Sequence, residues 1–159
     1  MFYETIINDH GLPHDPFKSC IVPRPIGWVS TVDRDGVVNL APYSFFNRVA
    51  SEPPMVMFAS NGRQPHGVKD TVTNCESTGE FVCNLATWNL RGEMNQTSAP
   101  FSPEIDEIKA AGLGIGKSTL VKPPRVWDCP IHMECKHYKT IELPCDRDDH
   151  RNAIVIGEV

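Results

Sequence analysis

A chain of 159 residues with 40% hydrophobic and 22% charged side chains has the composition of one globular domain with a real core. Its net charge of -5 gives no broad basic footprint, which argues against a general nucleic-acid binder, and no apolar run approaches the length that spans a bilayer. The N-terminal "MFYETIINDHG" has no charged-then-apolar signal layout, so a cytoplasmic address is expected, and the six cysteines (Cys20, Cys75, Cys83, Cys129, Cys135, Cys145) read as reduced thiols.

In chain order, "IGWVSTV" (Ile26 to Val32) reads as a strand, "DRDG" as a turn and Val37 to Tyr43 as the returning hairpin partner. Pro54 to Ser60 is a nearly continuous apolar run, hence a buried strand. "KDTVTNCESTG" reads as a short helix, with Asp70 as its N-cap and Gly79 as its stop. Glu80 to Ala86 is another strand, and a helix is expected from about Thr87 through "TWNLRGEMNQTS". In "SPEIDEIKAAG", Ser102 as N-cap, Pro103 at the first helical position and acids in the first turn predict a further helix. Pro130 to Leu143 is a long strand, "DRDDHRN" a turn and "AIVIGEV" a last strand. The 14 prolines cluster in "VPRPIG", "APY", "EPP" and "KPP", a pattern of strand edges and rigid loops. Six strands that do not alternate with helices predict a mainly β protein, an antiparallel barrel with short helices packed outside, rather than a parallel nucleotide-binding sheet.

Three chemistries are suggested by local motifs and fail on spacing. "GLGIGKST" looks like a phosphate-binding loop, but the position five before Gly116 is Ala111 rather than glycine, and Pro123 and Pro124 block the helix that should follow. It reads instead as a helix stop at Gly112 followed by a surface loop. "CPIHMECKH" offers four zinc-ligand types, but on a strand Cys129, Cys135 and His137 share one face while His132 lies on the other. No G-x-S-x-G elbow is present, and no cysteine sits in a reactive context, Cys75 being helical and Cys83 in an apolar strand.

The segment from Pro23 to Thr71 is different. It places Trp28, Ser30, Thr31, Asn39, Tyr43, Ser44, Phe46 and Asn47 at strand ends, a mixture suited to a flat apolar ligand with hydrogen-bonding edges and a polar tail. "KDT" adds an anion site, in which Lys69 supplies charge, Thr71 a hydroxyl and the helix start free N–H groups.

These pieces resemble a known family. "PRPIGWVST", "DG", "NLAPYSFFN", "PPMVMF", "KDT", "TGEFVCNLA", "MNQTSAP", "AGL" and "KPPRV" occur in the order and spacing of the flavin reductase-like, FMN-binding split-barrel proteins, from about Ile21 to the chain end. The resemblance implies a six-stranded Greek-key barrel that works as a homodimer with FMN near the subunit interface. Members include flavin reductases that feed two-component monooxygenases and flavoredoxin-like electron carriers. Carried onto this sequence, Ser30 and Thr31 look like part of the wall around the ribityl chain and phosphate. Asn39 and the backbone of Ala41 and Pro42, followed by Tyr43, Ser44, Phe46 and Asn47, look like the isoalloxazine bed. Lys69, Asp70 and Thr71 look like the phosphate site, with Arg24 as a second cation. Trp28 is either a ring that packs on the flavin or a buried barrel tryptophan.

The implied activity is an NAD(P)H-dependent flavin reductase, the alternative an electron carrier without intrinsic NAD(P)H activity. A monooxygenase or other redox protein is the implied partner. Hydride transfer to a flavin requires no side-chain acid or base, so no catalytic residue is assigned. In two places the chain departs from the family pattern. It ends at "AIVIGEV", where the family continues into another strand and a tail rich in glycine and tyrosine. The expectation is a single domain over 1–159, either a truncated form or one from which this last element is absent. "NGRQPHGVKDT" is also a longer approach to "KDT" than the pattern has.

Overall fold

A computed structural model describes residues 2–159. Seven antiparallel strands form one sheet: β1 (Gly27–Val32), β2 (Val38–Tyr43), β3 (Phe46–Ser51), β4 (Pro54–Ser60), β5 (Glu80–Asn84), β8 (His132–Leu143) and β9 (Asn152–Glu158). A ribbon of β6 (Ile115–Gly116) and β7 (Arg125–Val126) stands apart. The spatial order is β2-β1-β5-β8-β9-β4-β3. The two edge strands, β2 and β3, are neighbours in the chain, joined only by Ser44 and Phe45, so the sheet curls until its edges meet without a ladder between them. This is a barrel split along one seam, of the class the sequence predicts, with Greek-key connections.

The sheet has one strand more than the six expected, and the two-residue strands of the β6–β7 ribbon come in addition. β3 escaped because four of its six residues are exposed and its apolar Phe46, Val49 and Ala50 do not alternate, so it carries no inward–outward pattern of the kind that marks a half-buried strand. It sits at the edge, bulged between Arg48 and Ala50.

Each strand's alternation decides which layer it feeds. On β1, Val29 points into the barrel with Tyr43, Val56, Phe58, Phe81, Cys83, Cys135 and Val155. Its neighbour Trp28 points outward and is fully buried with Leu40, Ile108, Val126 and Cys129. Both faces are covered, which is why all six residues of β1 are buried. The β1–β2 turn is held by the Asp33 carboxylate, which accepts from the N–H groups of Asp35 (2.9 Å) and Val37 (2.7 Å) and lets Gly36 take a left-handed φ of 88°.

Helix α1 (Pro16–Cys20), which the sequence did not announce, lies on the N-terminal segment and buries none of its own residues. Helix α2 (Asp70–Thr78) packs Val72 and Cys75 into the barrel core. It stops at Gly79 as expected, with φ 75°. Its start differs: Lys69 holds the N-cap position with extended backbone, and Asp70 lies inside the first turn, where it pairs with His66 at 2.9 Å.

The outer layer is a 3-10 turn (Trp88–Leu90), α3 (Arg91–Gln96) and α4 (Glu107–Ala110). α4 begins later than Ser102 predicts. Asp106 is the cap, accepting from Lys109 N at 3.1 Å, while Ser102 bonds Glu104. Asp106 wins because helix formation there buries Ile108 completely, whereas residues 102–105 have nothing to pack against.

The metal-like segment is taken up by local bonds. His132 Nε2 lies 2.8 Å from Val126 O, His137 Nε2 lies 2.9 Å from Thr140 Oγ1, and Cys135 is buried in the barrel. "GLGIGKST" does hold an anion, but an internal one. The Glu134 carboxylate accepts from Thr119 N and Leu120 N, the shortest contact being 2.6 Å. Among the described residues no helix is long and apolar enough to cross a membrane.

Candidate functional site

Two clefts open beside the seam and share Pro42, Tyr43 and Lys69. The larger, about 600 Å³, lies between the barrel and the N-terminal segment. Pro42, Phe45 and Ala59 form one wall; Phe17 and Ile21 face them, and Ser44 and Asn61 supply polar edges. The smaller, about 250 Å³, is polar and is bounded by Ala41, Thr71, Glu107 and Arg63 with the Thr97–Pro100 segment. A flat, mostly apolar slot continuing into a polar pocket is a shape for a ring system with a charged tail.

The electrostatics centre on Lys69. It is half-buried, and burial lowers its pKa below the ordinary lysine value. No carboxylate of the described residues pairs with it, and its Nζ lies 5.7 Å from the Tyr43 ring centroid. Beside it begins α2, where Val72 N and Thr73 N bond back to Lys69 O; the amides before them are open to an outside acceptor. Thr71, 1% exposed, receives Asn39 Nδ2 at 2.8 Å, and Thr31 Oγ1 receives both Asn39 Nδ2 (3.2 Å) and Asn74 Nδ2 (3.1 Å). This buried network fixes the Thr71 hydroxyl against the pocket floor. The Tyr43 hydroxyl is buried without a hydrogen-bond partner, and burial raises its pKa far above the phenol value despite the nearby Thr71 and Ser60 hydroxyls. Gln64 Oε1 is also buried and unpartnered at the same pocket.

Of the residues expected at the site, Ala41, Pro42, Tyr43, Ser44, Lys69 and Thr71 line the two clefts. Thr31 and Asn39 support Thr71 from beneath, and Asp70 flanks it in its pair with His66. Phe46 packs on the barrel core, held close to Gly27, where an added Cβ would meet its ring at 2.6 Å.

Four residues go elsewhere. Trp28 is fully buried in the outer layer, its Nε1 donating to Thr97 Oγ1 at 2.9 Å, so of the two readings it is the structural tryptophan. Ser30 shares Trp28's outward face, by strand alternation, and donates to Pro124 O at 2.6 Å. Asn47 is exposed on the edge strand, its Oδ1 accepting from Arg48 N. Arg24 spends its guanidinium on Lys18 O (2.7 Å) and Ile21 O (2.8 Å), tying down the N-terminal segment. The sequence reading missed Phe17, Phe45, the Thr97–Ser98 pair and Glu107. "NLAPYSFFN" carried a signal for Phe45 and "MNQTSAP" one for Thr97 and Ser98, whereas Phe17 carried none and Glu107 read as an ordinary helix-start acid.

Fold and site define a split-barrel protein with a two-part cleft beside its seam, apolar at one end and polar, with the unpaired Lys69 between, at the other. The chain belongs to the flavin reductase-like family: the model described as flavin reductase like domain matches residues 19–159. An uncharacterized protein of Aquifex aeolicus (strain VF5) is 45% identical over 123 residues, 77% of this chain and 63% of that relative, so this chain spans less than two thirds of it. Among solved structures, nitrilotriacetate monooxygenase component B from Bacillus cereus is 32% identical with a TM-score of 0.84, covering 100% of this chain and 79% of that one. The 2-nitrobenzoate 2-nitroreductase NbaA of Pseudomonas fluorescens is 31% identical with a TM-score of 0.77, covering 95% and 72%.

Proposed function

We propose that this chain is an FMN-binding oxidoreductase, an NAD(P)H-dependent flavin reductase that passes reducing equivalents through FMN to a monooxygenase or other redox partner. The observation that carries this reading is Lys69: an unpaired, half-buried ammonium at the junction of an apolar slot and a polar pocket. An unpaired cation held out of bulk water is costly unless an anion completes it. The donor set fits a phosphate monoester, with Lys69, the Thr71 hydroxyl and the first amides of α2 converging on one side.

In this reading Pro42, Ser44 and Phe45 bed the ring, Lys69 and Thr71 hold the phosphate, and Phe17 and Ile21 exclude water from the outer face. A bound flavin would supply hydride acceptance and electron return; the protein's part is to position the ring and tune its charge. The sequence has no G-x-G-x-x-G unit, so the nicotinamide is expected to stack transiently in the larger cleft rather than occupy its own domain. A homodimer is part of the proposal. β3 leaves an unpaired sheet edge, and Trp88 and Trp127 are 77% and 68% exposed, surface that a second subunit would cover.

The test is the visible spectrum of purified protein, with the released chromophore identified, followed by anaerobic NADH and NADPH. A yellow protein releasing FMN and bleaching rapidly supports the reductase. FMN held tightly but reduced slowly by either nicotinamide makes it a carrier. Failure to bind added FMN at all sinks the site.

A further inference from the structure

Glu107 is a carboxylate in an unusual position. It opens α4 yet is only 6% exposed, and it lines the small polar pocket together with Lys69 and Thr71. Its Oε2 accepts from Leu40 N at 3.0 Å, which fixes the side chain against β2. No cation of the described residues pairs with it.

The charges around it come from four elements. From α2 come Lys69, unpaired, and Asp70, engaged by His66. From the start of α4 come Asp106 and Lys109, paired with each other at 2.9 Å. The β4–α2 loop contributes Arg63, held by Asp149 at 2.7 Å. Asp33 of the β1–β2 turn shares a small adjoining cavity with Glu107. Three of these neighbours are carboxylates and only Lys69 is a free cation. Burial first, then the charges of Asp70 and Asp106, push the Glu107 carboxyl up to about 7, against the pull of its own backbone amide and of Leu40 N.

We propose that Glu107 is a specificity-determining wall of this pocket: protonated, it admits the phosphate monoester beside Lys69, and ionised, it repels it. The inference rests on the placement of the phosphate given above. Its consequence is proton linkage. Binding of a dianion next to Glu107 raises the carboxyl's pKa further, so the complex takes up a proton and affinity falls as pH rises through neutrality. A shift of one unit on binding corresponds to about a tenfold loss of affinity across the transition. The phosphate's own second ionisation, near 6, acts with the opposite sign, since loss of that proton strengthens attraction to Lys69. Riboflavin, which lacks the phosphate, has no reason to respond.

The experiment is fluorescence titration of flavin-free protein with FMN and with riboflavin, from about pH 6 to about pH 8.5, on the wild type and on Glu107→Gln. Glutamine keeps an acceptor for Leu40 N and removes only the charge. The expected result is FMN affinity that falls about tenfold more steeply in the wild type than in the variant, with riboflavin flat in both. FMN preferred over riboflavin, but with parallel pH profiles in the two proteins, overturns the role of Glu107 alone. Equal affinity for FMN and riboflavin at every pH overturns the phosphate placement and this proposal with it. If the variant does not fold, calorimetry of FMN binding to the wild type at about pH 7.5, where the phosphate is already ionised, in two buffers of different ionisation enthalpy, decides the matter. Net proton uptake supports the proposal, and none, or release, overturns it.

Discussion

Trp28 Nε1 donates to Thr97 Oγ1 at 2.9 Å, a bond between the second residue of β1 and a segment 69 positions on. Thr97 in turn donates to Met94 O at 2.9 Å, so one buried tryptophan ties the outer helices and the Thr97–Pro100 wall of the polar pocket to the barrel. Trp28→Phe removes the indole N–H, leaving Thr97 without its donor, together with part of the ring's apolar contact. The expected loss is about 1–2 kcal/mol of stability, read by urea unfolding, together with weaker FMN binding because the pocket wall loosens. Unchanged stability would mean the outer layer is held by packing alone.

Lys69 has no carboxylate partner among the described residues, so replacing it should cost the fold little and the ligand much. Lys69→Met is expected to weaken FMN by about ten- to a hundredfold, the worth of one charged hydrogen bond, and Lys69→Glu by more, with riboflavin nearly unaffected in both. Flavin fluorescence titration checks this. An FMN affinity that survives Lys69→Glu removes the residue from the site.

Glu107 also makes a prediction about the protein without ligand. Its folded pKa, about 7, lies above the ordinary value of 4.5, so the folded state binds more protons than the unfolded one between these two values. Stability should therefore fall as pH rises from about 4.5 to about 7 on account of this group, by on the order of 1–2 kcal/mol. Glu107→Gln should lose that dependence and be no less stable than the wild type at pH 8, as thermal unfolding across pH would show. A variant far less stable at pH 8 would mean that the ionised carboxylate is favourable in the fold.

Glu134 behaves oppositely. Partial burial alone would raise its pKa, but the amides of Leu120 and Thr119 and the charge of Arg125 hold it below the usual carboxylate value. The support it gives its loop is present above about pH 4.5 and lost as pH falls through the lowered pKa. Hydrogen exchange at Thr119 and Leu120 should accelerate in Glu134→Gln, and in acid for the wild type. Exchange rates unaltered in the variant would show that the loop stands without the carboxylate.

Gly157 on β9 faces the barrel interior so closely that an added Cβ would lie 2.3 Å from the Phe81 ring. Phe81 is fully buried and packs edge-on against Phe58 at 5.7 Å, so the ring has no room to retreat. Gly157→Ala should cost about 1–3 kcal/mol or more through overpacking, measured by the denaturation midpoint.

The sequence by itself determined the mainly antiparallel barrel, because β1, β2, β4, β5, β8 and β9 carry their burial pattern in their apolar residues and their ends in Gly, Pro and Asp. It also brought together the residues proposed for the anion end of the site, because Lys69, Thr71 and a helix start are adjacent in the chain and need no long-range contact to converge. What it left open depended on partners far away in sequence. β3 is an edge strand whose exposed residues lack alternation, and only its ladder to β4 gives it a place. Trp28 and Thr31 both lie on β1, yet one faces the outer layer and the other the pocket floor. Their residue types do not say which side of a two-sided strand the cleft will occupy. Glu107 looks like a solvated first-turn acid until β2 closes over it and supplies Leu40 N. Burial is a property of what packs against a residue, and for these positions the tertiary structure alone decided it.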